Sequence, residues 1–334
     1  MKRILSIILA LALTVVCFAG CSAKPADEEN SSAPLKAGQV NMYVLSGPTG
    51  IGAANLISAA KNGKTANTYT FTVVDNNTEI VAAVSNGSAD IAAVATNQAS
   101  ALYNKTNGNV TVLAVNTSSV LYMLTNGEDI ASIADLKGKT IYTPGQGANP
   151  EYILRYVLKG NNLDPDKDVK IQFVSDGSEL PTVWAKDEDA VIMAPQPVAT
   201  VLPTKYENAK VEFNMGEERS KISEPDALLM GCVIVNNNYL AANPDAVEIF
   251  LDEYEVSINA AKANPQSTAV ICEEQKILPV KAAVIQKAIP NCGLTFITGA
   301  EMKTKLSGYL KIMYEANPQS VGGKLPADGF YYVK

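Results

Sequence analysis

The chain has 334 residues, a formal net charge of −7 and no histidine. Without histidine, Ser-His-Asp and Cys-His catalysis, histidine-ligated zinc and imidazole acid–base chemistry near neutral pH are excluded. Lys and Arg are scattered rather than clustered, which excludes nucleic acid as a partner, because phosphate contacts need a basic patch.

Residues 1–20 read as a secretory leader: Lys2 and Arg3, then an apolar run, then small residues. The run is shorter than the ~20 residues that span a bilayer. It ends Phe18-Ala19-Gly20-Cys21, which resembles a lipobox and makes Cys21 the expected lipidation site. The alternative is an ordinary cleaved leader with a chance cysteine. Losing Lys2 and Arg3 takes the net charge from −7 to −9 and leaves two arginines, Arg155 and Arg219. Residues 21–37 are polar, carry Pro25 and Pro34, and have no hydrophobic period, so they read as a tether.

The body opens on an alternating strand at residues 40–45. The turn Ser46-Gly47-Pro48-Thr49-Gly50 leads into a small-residue helix through Ala60. A second strand is expected at residues 69–74, then a helix capped by Asn77 or Thr78 and stopped at Gly87. A short apolar strand follows at residues 90–94. Alternating strands and helices imply parallel sheets covered by helices.

The theme then recurs. Leu45-Ser46-Gly47-Pro48-Thr49-Gly50 aligns with Tyr142-Thr143-Pro144-Gly145-Gln146-Gly147. The segment starting Val74-Asp75-Asn76 aligns with Val174-Ser175-Asp176, and Asp90-Ile91-Ala92-Ala93-Val94-Ala95 with Asp189-Ala190-Val191-Ile192-Met193-Ala194. The order and near-constant spacing indicate two similar α/β lobes. Residues 38–117 and 233–334 form the first, and residues 118–232 the second. The chain crosses between them at residues 110–117 and 228–235, and two crossings make a hinge beside a cleft. Trp184 reads as a helical core residue among Leu180, Val183 and Ala185. Asn243-Pro244 opens a helix whose Val247, Phe250, Leu251, Tyr254, Ile258 and Ala261 form a core stripe. Further helices fit residues 279–288 and 300–316.

Cys232, Cys272 and Cys292 lie outside any CxxC pattern and read as buried thiols. A Cys272–Cys292 disulfide is the alternative in an exported protein.

The lipobox, Gly47-Pro48-Thr49-Gly50, the run Ile133-Ala134-Asp135-Leu136-Lys137-Gly138-Lys139, the segment 143–152, Pro195-Gln196-Pro197 and Ala242-Asn243-Pro244-Asp245 together resemble ABC-transporter substrate-binding proteins. The nearest group serves importers of nitrate, sulfonates, taurine and the pyrimidine precursor of thiamine. The resemblance implies a two-lobe, type II periplasmic-binding-protein-like α/β fold. It implies a monomer outside the cytoplasm, held to the membrane only by its lipid. The implied partners are a small solute and the ABC permease and ATPase subunits, with no metal and no cofactor. Family members often carry Pro-Glu-Pro where this chain has Pro195-Gln196-Pro197, which makes a cationic group on the ligand less expected.

Ligands of open α/β sheets sit beyond the carboxyl ends of strands, here the loops at residues 46–50, 95–98, 143–149 and 194–197. Their polar side chains carry no charge. The candidate ligand residues are Ser46, Thr49, Thr96, Asn97, Gln146 with Gly147 beside it, and Gln196. Tyr122 and Tyr152 are candidates for stacking. Turn or capping roles compete at each, and are the stronger reading for Ser46 and Asn149. Two loops run into helix N-termini, where an anion is favoured; the missing arginine and Glu151 in the first turn point instead to a neutral or weakly charged solute. The repeat sets Asn97 opposite Gln196, so the two amides are expected to face each other across the cleft. The rival functions are a pyrimidine-acting enzyme on the same fold and a sensor or adhesion lipoprotein without transport.

Overall fold

The computed structural model describes residues 34–222 and 228–333. The leader, Cys21 and the tether up to residue 33 lie outside the described residues.

In chain order the body begins with β1 (Gln39–Leu45), α1 (Pro48–Ile51), α2 (Ala54–Lys61), β2 (Thr68–Val74), α3 (Asn77–Asn86), β3 (Ile91–Ala95), α4 (Thr96–Lys105) and β4 (Val110–Ser118). Next come β5 (Leu121–Asn126), β6 (Thr140–Pro144), α5 (Asn149–Gly160), β7 (Lys170–Val174), β8 (Val191–Pro195), α6 (Val198–Lys205), β9 (Ala209–Asn214) and α7 (Met215–Ser220). The chain returns through β10 (Leu229–Asn236), α8 (Asn237–Ala242), α9 (Pro244–Ala263), α10 (Pro265–Glu274), α11 (Ala282–Ala288), β11 (Leu294–Ile297) and α12 (Gly299–Ala316).

The strands form two sheets, ordered β11-β4-β10-β3-β1-β2 and β7-β6-β8-β5-β9. The internal repeat is visible in them. In each, the first strand of the repeat (β1 or β6) lies between the second and third, and all three run parallel. The fourth strand, β10 or β5, is antiparallel in both. Each fourth strand begins just after the chain has arrived from the other lobe, which reverses its direction. The sheets are therefore mixed rather than all-parallel as alternation alone suggested. Strands β4 and β10 pair antiparallel in the first sheet, close to where the chain crosses.

Both faces of each sheet are covered. Alternate residues feed different clusters: Ala92, Val94, Val112 and Ile234 one, and Val44, Ala93, Leu113 and Val233 another. This is the period-two pattern of strands buried on both sides. In the second sheet Leu121, Met123 and Met193 join the first of these clusters, while Tyr122, Leu124 and Ile192 pack with Trp184. Trp184 is a core residue with its indole N–H donated to the Ala190 carbonyl at 2.7 Å, although it stands on a turn rather than a helix.

Several local expectations shift by small amounts. Asn76, not Asn77 or Thr78, caps α3 by accepting from the Glu79 N–H, and Gly87 closes it in the left-handed region. In the second copy Asp176 plays the cap, but Pro181 follows and the segment Gly177–Thr182 is only a 3-10 helix. The first small-residue helix is broken into α1 and α2, and α11 starts at Ala282 rather than at residue 279. Helix α9 begins at Pro244 and buries Val247, Phe250, Tyr254, Ile258 and Ala261, while Leu251 is only partly buried. Cys232, Cys272 and Cys292 are buried free thiols, so the Cys272–Cys292 pairing is absent. Burial pushes all three thiols up, Cys272 to about 12.

Candidate functional site

The carboxyl ends of β1, β3 and β6 open onto one cavity of about 280 Å³. Its first wall is Leu45, Ser46, Pro48, Thr49, Asn77, Ala95, Asn97 and Gln98. Its second wall is Pro144, Gly145, Ala148, Asn149 and Pro150, and Thr117, Val120 and Met230 line it where the chain crosses. No described residue lining it is ionisable. The volume lies just below the range for small-ligand pockets, roughly 300–1,000 Å³.

The first wall is tied down from behind. Ser46 Oγ donates to the Ile277 carbonyl at 2.9 Å, and the Asn97 amide donates to the Ser320 carbonyl at 3.2 Å. Thr117 Oγ1 stands 3.5 Å from Thr49 Oγ1 and donates to Asn116 Oδ1 at 3.1 Å. Asn116 Nδ2 then donates to the Tyr254 hydroxyl at 2.8 Å. Burial holds the Tyr254 phenol far above its ordinary value, so it stays protonated. Gly231 makes this packing feasible: a Cβ there would lie 2.7 Å from both Asn116 Oδ1 and Thr49 Oγ1. At the loop entrance Gly47 has φ 107 and ψ −160, a backbone region that is essentially glycine's alone.

Two helix N-termini reach the cavity, those of α4 and α5. First-turn N–H groups and the helix dipole favour electron-rich ligand atoms there. At α5 this pull is reduced: Pro150 contributes no N–H, and Glu151 lies in the first turn. The Glu151 carboxylate accepts from the Gly147 N–H at 2.8 Å and pairs with Arg155, also at 2.8 Å.

The candidate residues are distributed as follows. Ser46, Thr49 and Asn97 line the cavity. Thr96 is fully buried and donates its hydroxyl to the Leu229 carbonyl at 2.5 Å, joining α4 to β10. Gln196 is 4% exposed, does not line the cavity, and accepts from Thr200 Oγ1 at 2.8 Å. Asn97 and Gln196 are therefore each bonded within their own part of the structure rather than paired across a cleft. The reason is the turn Pro318–Val321, which offers the Ser320 carbonyl to Asn97. The capping role does not fall to Asn97 either, since α4 already starts at Thr96. Gln146 and Gly147 are exposed and do not line the cavity.

Tyr122 and Tyr152 lie outside the cavity, at contacts between the lobes. Tyr122 donates its hydroxyl to the Asn291 carbonyl at 2.9 Å, and burial pushes its phenol up to about 12. Tyr152, on α5, accepts from Asn317 Nδ2 at 3.0 Å, just beyond the end of α12. Nearby, the Arg219 guanidinium is 5.8 Å from the ring centroids of both Tyr156 and Tyr309, one on α5 and one on α12. Tyr152 and Tyr156 border an open groove of about 760 Å³.

Asn77, Gln98, Thr117 and Asn149 line the wall without having been candidate ligand residues, and Asn149 stands out among them. It precedes a proline, which made a turn or cap the stronger expectation. In the structure it is the first residue of α5, with Ala148 at the cap position. It is 2% exposed, and neither amide atom has a hydrogen-bond partner.

Two mixed sheets joined by crossing chain segments, with a cavity at their strand ends, define a periplasmic-binding-protein fold. The NMT1/THI5-like family profile matches residues 60–268, more than half of the chain, and the chain belongs to that family. No curated protein sequence matches it. Among solved structures, an ABC transporter protein from Parabacteroides distasonis is similar with a TM-score of 0.75 at 20% identity, covering 88% of this chain and 99% of that one. The periplasmic aliphatic sulphonate binding protein SsuA of Escherichia coli has a TM-score of 0.70 at 12% identity, covering 88% and 92%. SsuA of Xanthomonas axonopodis pv. citri, bound to MOPS, has a TM-score of 0.63 at 13% identity, covering 88% and 96%.

Proposed function

We propose that the chain captures a small polar solute in this cavity and delivers it to the permease and ATPase subunits of an ABC importer. The observation that carries the reading is the cavity itself, walled by equivalent strand ends of two pseudo-repeated sheets and lined where the chain crosses between them. The similar solved proteins, named as an ABC transporter and as sulphonate-binding proteins, support it. Binding rather than catalysis is favoured because the described lining offers no carboxylate, cysteine or histidine for acid–base or nucleophilic work. The test is a thermal-shift panel of aliphatic sulfonates, nitrate, pyrimidines and amino acids, followed by ATP-dependent uptake with the cognate permease and ATPase. A true solute at a hundred times its Kd stabilises by about 2.7 kcal/mol. Binding without uptake favours a sensor. Turnover of a bound compound favours an enzyme.

The same reading places the folded body outside the cytoplasm as a monomer, on a tether of residues 21–37, anchored by lipid on Cys21 after loss of residues 1–20. The lobes comprise residues 38–117 with 233–334, and 118–232. The lipid is the proposed anchor because residues 18–21 resemble a lipobox; no described helix is long and apolar enough to cross a membrane. Expressed whole in a bacterium, the protein is expected in the membrane fraction, and Cys21→Ser is expected to release or mislocalise it. An unmodified Cys21 in the native protein, by mass spectrometry, would count against the anchor.

A further inference from the structure

Gln98 is only partly buried and open to water, and the other polar groups lining the cavity differ in one respect. Ser46, Thr117, Asn97 and Asn77 each have a partner within the protein; Asn77 Oδ1, for example, accepts from the Ala95 N–H at 3.4 Å. Asn149 has none on either Oδ1 or Nδ2, although it is almost completely buried. A buried amide left this way loses its hydration on both the donor and the acceptor side without compensation. Such a group in a cavity wall calls for an incoming partner, an ordered water or a ligand that supplies both bonds.

The chemistry of an amide then restricts the ligand. Nδ2 only donates and Oδ1 only accepts. A sulfonate, nitrate or carboxylate offers acceptors alone: it would satisfy Nδ2 and set negative charge against Oδ1. The surroundings do not compensate, because the described lining holds no Lys or Arg, and the α5 end has Pro150 and Glu151 in its first turn. A neutral group with N–H beside C=O, as in a carboxamide, lactam or imide, satisfies both atoms in one planar pairing. Resting on the reading of this cavity as the solute site, we infer that Asn149 is its specificity-determining residue and that the solute presents an uncharged N–H/C=O edge to it.

The experiment compares the purified protein with Asn149→Ala and Asn149→Asp by calorimetric titration and thermal melts. The probes are uracil and nicotinamide on one side, and nicotinate, benzenesulfonate and nitrate on the other. Any small molecule released on denaturation is identified by mass spectrometry. The expected result is binding of an amide-edge probe by the wild type, weakened about tenfold by either substitution. Asn149→Ala is expected not to lower the melting temperature of the unliganded protein, because it removes an unsatisfied buried amide. Anion binding unaffected by Asn149→Ala would overturn the inference and leave the receptor reading standing. So would a co-purified solute without such an edge. A lower unliganded melting temperature with unchanged affinity would make the amide structural and overturn the inference. If no probe binds and no solute co-purifies, the receptor reading falls with it.

Discussion

The two walls of the cavity start from equivalent strand ends and are finished differently. On the first wall, Ser46 and Asn97 are bonded to segments behind them, supplied by the helical layer and the carboxyl-terminal turn, and Thr49 packs on the bonded series Thr117–Asn116–Tyr254 at the crossing. On the second, the loop between β6 and α5 is short and Asn149 stands without a partner. The contrast separates two tasks. A wall whose buried polar groups are already satisfied gives the cavity a fixed shape, while an unsatisfied buried group reserves hydrogen bonds for something that arrives.

The comparison breaks most readily at Gly231. Gly231→Val drives side-chain atoms into Asn116 and Thr49, and is expected to cost about 2–3 kcal/mol of stability in a denaturant melt. An unchanged midpoint would mean that the first wall is loosely packed. Tyr254→Phe leaves Asn116 Nδ2 without its partner and is expected to cost about 1–2 kcal/mol. Asn149→Ala on the opposite wall is expected to cost nothing, and a loss comparable to that of Tyr254→Phe would erase the distinction between the walls. The smallest effect concerns pH. Histidine is absent, no described lining residue ionises, and the phenol of Tyr254 is held far above neutrality. Affinity for a neutral probe is therefore expected to be flat between about pH 6 and pH 8. A slope in titrations across that window would place an ionisable group of the protein within reach of the solute.

Much of the fold is legible because local rules agree with the tertiary structure. The Gly87 stop, the Pro244 start and the core stripe of α9 follow from backbone preference and helical spacing. The repeat is legible because both copies keep the same parallel unit. Strand direction outside that unit is not: β4, β5 and β10 are apolar runs whose sense depends on where the chain comes from. The same limit applies to the site. Strand ends and turns locate the loops, and Ser46, Thr49 and Asn97 do line the cavity. The partner of Asn97 lies 223 residues away in a turn outside the repeat, and no local signal announces it. Asn149 is hidden for the opposite reason: its sequence context suggests a cap, and its distinguishing property is a bond not made.

The contacts of Tyr122 with Asn291, of Tyr152 with Asn317, and of Arg219 with the rings of Tyr156 and Tyr309 link the lobes away from the cavity. They are made by the protein with itself. Any guest that requires the lobes to be together gains the same increment from them, whatever its chemistry. Such contacts lengthen the residence time of all guests alike and cannot rank one above another. Tyr152→Phe, which removes only the hydroxyl that accepts from Asn317 Nδ2, is therefore expected to shorten how long a guest stays, and the choice of guest is left to the residues that touch it.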